Sequence, residues 1–127
     1  MNLCNQNGIA LVELAISLTL LLLIVFGITE FGRAMFVANT LNNAAREGAR
    51  QAVVTPAAAM NISTLEPYVK TLIPIDQTGL SVAVTGTPAS GNPITVSIAL
   101  PFKTVVPNLI PALENITLKG EATMRYE

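Results

Sequence analysis

The chain has 127 residues, 51% of them hydrophobic, and a formal net charge of −1. That length leaves room for one domain, and the 7 Lys and Arg residues are scattered, so there is no electrostatic footprint for nucleic acid. With no His and a single Cys, most metal sites are excluded, as is any Ser–His or Cys–His nucleophile; no enzyme, metal or cofactor is expected.

Residues Met1 to Gly8 form a short polar leader that holds the one cysteine, Cys4. A secretory signal peptide would place an apolar stretch first and a small-residue cleavage site after it. Here the order is reversed, because the apolar run follows. From Leu14 to Ile28 the only polar side chains are Ser17 and Thr19. Residues 9–31 supply slightly more than the roughly 20 residues needed to cross the hydrocarbon core, so the lipid bilayer is an expected partner. Glu13 sits inside the leading edge of that run, and an ionisable group at membrane depth is costly enough to signal a function.

One long helix is expected from Ile9 to about Val54, because no proline occurs before Pro56. At 1.5 Å per residue it would be about 70 Å long. Beyond the membrane, residues 32–55 continue it with a different pattern, in which Phe31, Ala34, Ala38, Leu41, Ala45, Gly48 or Ala49, and Ala52 recur at three- and four-residue spacing. Ala44, Gly48 and Ala52 form a small-xxx-small series suited to close helix packing. The stripe either covers the chain's own C-terminal domain, which is favoured for the outer half, or binds a neighbour's helix. Gly27 and Gly32 mark a bend or the approach of another helix. Arg46 and Arg50 share a face, and Glu47 precedes Arg50 by three. They form a solvated face, or pair with carboxylates of a partner or of the C-terminal domain.

Residues 56–127 are expected to form a small α+β extracytoplasmic domain. Ala57 to Met60 is a helical extension or a linker. A short helix follows, capped by Ser63 or Thr64, with Glu66 and Pro67 in its first turn. Its apolar face is Leu65, Tyr68, Val69 and Leu72. Asp76 to Gly79 reads as a turn. The period then changes to two: Leu80, Val82 and Val84 make one strand, and Ile94, Val96, Ile98 and Leu100 a second. Gly86 to Pro93 is the hairpin loop, and Pro101 ends the pairing or puts it on an edge. Val105 to Leu113 is a short amphipathic helix or an ordered loop. Ile116, Leu118, Gly120, Ala122 and Met124 share a third strand face. The resulting antiparallel sheet needs a cover, and the outer half of the long helix is the element long enough to provide it.

The stretch Gly8 to Glu13, G-I-A-L-V-E, resembles the processing site of type IV pilin-like precursors. The continuation A-L-V-E-L-A-I-S-L, then F-G-I-T-E-F-G-R-A-M-F and N-T-L-N-N-A-A-R-E-G-A-R, is similar to TadE-like pseudopilins of tight-adherence pilus systems, closely over about the first 55 residues. The resemblance implies cleavage between Gly8 and Ile9 by a prepilin peptidase, with Glu13 fifth in the mature chain and Cys4 removed. It implies that Glu13 pairs with an N-terminal amine of a neighbouring subunit, or serves peptidase recognition. Other pilin or pseudopilin subunits and an inner-membrane assembly platform are the implied partners. The implied location is the bacterial inner membrane, with the C-terminal domain outside the cytoplasm, and a surface pilus after assembly. The leader has no Lys or Arg, so this orientation comes from the resemblance and not from charge.

The function expected is that of a non-enzymatic pseudopilin or minor pilin of a tight-adherence (Flp-type) pilus or related secretion filament. The alternatives are an unprocessed membrane-anchored adaptor and the major filament subunit itself. Major subunits of such pili are usually much shorter, so the extended sheet argues against the last.

Overall fold

The computed structural model describes residues 3–56, 61–105 and 116–126, with side chains from residue 8 onward. The expectations for 57–60 and for 106–113 lie outside them. Helix α1 spans Leu3–Val54, helix α2 Ile62–Thr71, and strands β1, β2 and β3 span Ser81–Thr85, Pro93–Pro101 and Thr117–Arg125. The arrangement is α+β, a long N-terminal helix with a three-stranded antiparallel sheet of order β1-β2-β3. The chain divides into two compact units, Met1–Arg33 and Ala34–Glu127.

The first unit is helix throughout its described length. α1 begins at Leu3 rather than Ile9, so Gly8 and Ile9 lie within the helix and not at its start. The leader contains no proline to stop the turns from extending backward. From Gly8 to Thr29 the side chains are exposed, apart from half-buried Gly27. This helix is long and apolar enough to cross a membrane, and none of its apolar window is buried. Within it, Thr19 donates to the Ala15 carbonyl and Thr29 to the Val25 carbonyl, both at 2.8 Å. Each hydroxyl is thereby satisfied inside the helix, as a lipid environment requires.

The second unit opens with the outer part of α1, which ends at Val54 before Pro56, where the residue preceding proline is pushed out of helical geometry. Its buried face is Val37, Leu41, Ala44, Ala45, Gly48, Ala49 and Ala52. This shifts the expected stripe: Phe31 is exposed, and Ala34 and Ala38 are only half-buried. The larger Val37 buries more apolar area than either alanine, and that sets the phase. These residues join Leu65 and Val69 of α2, Ile73, and Ile94, Val96, Ile98 and Leu100 of β2 in one core.

The strands follow the expected alternation. Ile98 pairs with Gly120 and Val82 on its two sides, and Val96 with Ala122 and Val84. β2 is central and buries every second side chain. The opposite sheet face carries small polar residues, among them Thr95 and Thr123, whose hydroxyls lie 2.7 Å apart. Proline stands only at the two ends of β2, where it costs the ladder least. The turn at Asp76 to Gly79 is present: the Leu80 N–H donates to the Gln77 carbonyl at 2.9 Å, and Gly79 takes a φ of 81°.

The cap of α2 corrects the sequence reading. Asn61 is the N-cap, in extended conformation, and its side chain accepts from the Ser63 N–H at 3.3 Å. Pro67 therefore lies in the helix interior rather than its first turn. It withholds a donor from the Ser63 carbonyl, and Ser63 is exposed to water. Asn and Ser are near-equal caps, so local sequence could not separate the two.

Candidate functional site

Gly8, Ile9 and Glu13 stand on one exposed helical segment, with Ile9 one turn before Glu13. A Cβ on Gly8 would meet nothing within 4 Å. Glu13 makes no hydrogen bond or ion pair with any described residue. Among the described residues, this carboxylate beside the apolar run thus has no partner.

At the far end of the span, sequence reasoning overlooked a buried acid. Glu30 is only 7% exposed, and Arg33 donates to it from Nη2 at 2.9 Å. The signal was available: Glu30 precedes Val37 by seven residues and so shares the phase of the buried face. Glu30 is thus the first buried residue after the exposed apolar run, and Phe31 beside it is exposed again.

The structure separates the remaining predicted residues. Ala44, Gly48 and Ala52 are all buried inside the second unit. A Cβ on Gly48 would stand 2.8 Å from Val69 Cγ2 and 3.4 Å from Val96 Cγ1, so the glycine admits both α2 and β2. The small-residue series is thus used within the chain.

Glu47 pairs with Arg50 at 3.7 Å, as the spacing predicts. It also accepts a hydrogen bond from the Tyr68 hydroxyl at 3.2 Å, which ties α2 to α1 and was not foreseen. Tyr68 loses hydration, and the negative charge and acceptor oxygen of Glu47 add to the effect, so its phenol is held above the ordinary range. Arg46 is exposed and makes no hydrogen bond or ion pair among the described residues. A second tyrosine closes the C-terminal end: Tyr126 donates from its hydroxyl to the Thr55 carbonyl at 2.9 Å, just past the last turn of α1.

Residues 8–50 match the family model described as TadE-like protein. No curated protein and no solved structure matches the chain. The match starts at the glycine of the expected cleavage site and takes in Glu13, the apolar span and the Arg46–Arg50 turn. Over this N-terminal third the chain is similar to TadE-like proteins.

Proposed function

We propose that this chain is a pseudopilin of the Tad pilus system. A prepilin peptidase cuts it between Gly8 and Ile9, and it then joins other pilin-like subunits on an inner-membrane platform. Its C-terminal domain stands outside the cytoplasm.

The supporting observation is the depth of Glu13. With the lipid-facing segment ending at Thr29, next to buried Glu30, a hydrocarbon core of about 30 Å requires about 20 residues. Counting back reaches Ala10. Ile9 then lies at the inner boundary, and Glu13 about 5 Å inside it. A charge there needs a partner, and the described chain offers none. Cleavage after Gly8 makes one, the new ammonium of Ile9. The pair acts as a device for register more than as a source of stability, since desolvation offsets much of the attraction.

A second reading is an uncleaved, membrane-anchored adaptor, and one observation favours it. The Gly8–Ile9 peptide lies inside α1, where its backbone is closed into helical hydrogen bonds and must be unwound before a peptidase can reach it. Glycine lowers that barrier by about 1 kcal/mol relative to alanine. Mass spectrometry of the protein extracted from membranes decides between the two. A chain beginning at Ile9 supports the pseudopilin; a chain that retains its leader supports the adaptor.

A further inference from the structure

On the outer part of α1 the buried side is Val37, Leu41 and Ala44, and the side turned away from it changes character along its length. Asn39, Asn43 and Arg46 are what water-facing positions usually carry. Met35 and Phe36, just before them, are 47% and 58% exposed. The described protein leaves these two large apolar side chains uncovered, while Val37 next to them is 7% exposed.

We infer that Met35 and Phe36 are seated in the interfacial layer of the bilayer. This rests on the reading of α1 as a membrane span whose lipid-facing part ends at Thr29. Met35 and Phe36 lie six and seven residues further on, so their backbones stand about 9–10 Å beyond that boundary. The headgroup layer is roughly 5–8 Å deep on each side. Backbone distance alone would put both residues just outside it. Helical side chains lean toward the N-terminus, however, and cover the turn before their own Cα. That returns the thioether and the ring to the layer. Asn39 stands about 15 Å out, beyond the reach of the layer even with the same lean, and there the face becomes polar. On this face of α1, large exposed apolar side chains stop at Phe36 and do not return before Val54.

The chain contains no Trp, so single Trp variants report without background. The full chain is placed in nanodiscs with lipids brominated near the headgroup, carrying M35W, F36W, N43W on the same face, or F26W within the span. Blue-shifted, quenched emission from M35W and F36W, with red, unquenched emission from N43W, is the expected result. Three outcomes overturn the inference. In the first, M35W and F36W behave like N43W while F26W is quenched, which leaves the span intact. Blue-shifted but unquenched emission that depends on protein density would assign the patch to a second copy. Loss of quenching at F26W as well would remove the span on which the inference rests.

Discussion

Gly120 of β3 lies directly against the backbone of Leu41 in α1. A Cβ at Gly120 would stand 2.5 Å from the Leu41 carbonyl oxygen and 2.6 Å from the Asn42 nitrogen. Neither atom belongs to a flexible side chain that can swing aside. Alanine at this position must push the helix off the sheet, and overpacking of that kind costs about 1–3 kcal/mol. Hydrogen-exchange mass spectrometry on the full chain in detergent should show G120A losing protection across β2 and β3. The helical signal of the first unit should not change.

Gly48 poses the same question with the opposite kind of neighbour. G48A gains about 1 kcal/mol of helix propensity, but its methyl meets Val69 Cγ2 at 2.8 Å. Valine is stiff at χ1 and Val69 is fully buried, so G48A alone should destabilise by about 1 kcal/mol. In a V69A background the clash is gone, and the added methyl should become neutral or stabilising. A double-mutant cycle read by urea unfolding measures that coupling; additive effects would contradict the packing described.

Tyr68 makes the fold sensitive to alkali. Its phenol is held above its ordinary value of 10.0, first by burial and then by Glu47. A raised folded value means the protonated phenol favours the native state. That stabilisation is complete below about pH 10 and is lost as pH rises through the folded value. Thermal unfolding between pH 8 and 11 should therefore fall less steeply in Y68F than in the parent.

Asp76 acts at the other end of the scale. Hydrogen bonds from the hydroxyl and N–H of Thr78, with Lys103 nearby, hold its carboxyl below its ordinary value of 3.8. A lowered folded value gives stability that is present above pH 3.8 and lost as pH falls through the folded value. D76N should flatten the acid limb of the stability profile and leave the alkaline limb unchanged.

Glu13 carries the functional reading. E13Q keeps the shape and removes the charge, so it should insert in the membrane normally while maturation or assembly is lost. Immunoblots of leader removal and electron microscopy of sheared filaments read the two steps separately. Normal maturation together with normal filaments would end the proposal. E13Q chains that are cut but not assembled would place the carboxylate at the contact between subunits.

What could be read along the chain is what depends on near neighbours. Apolar run length, period and proline placement are local properties, so the span, the long helix up to Pro56 and the strands around Val82, Val96 and Ala122 were all legible. The Gly8-to-Glu13 spacing and the TadE-like pattern were legible for the same reason. Tertiary packing decided which equivalent choice won. It selected Val37 over Ala34 and Ala38 for the buried face. It also put Gly120 against Leu41 and Tyr68 beside Glu47. Each of these joins residues far apart along the chain, or depends on such a contact, and the energy that fixes them is area removed from water by a distant partner. No window along the chain contains that partner, so only the folded molecule could choose.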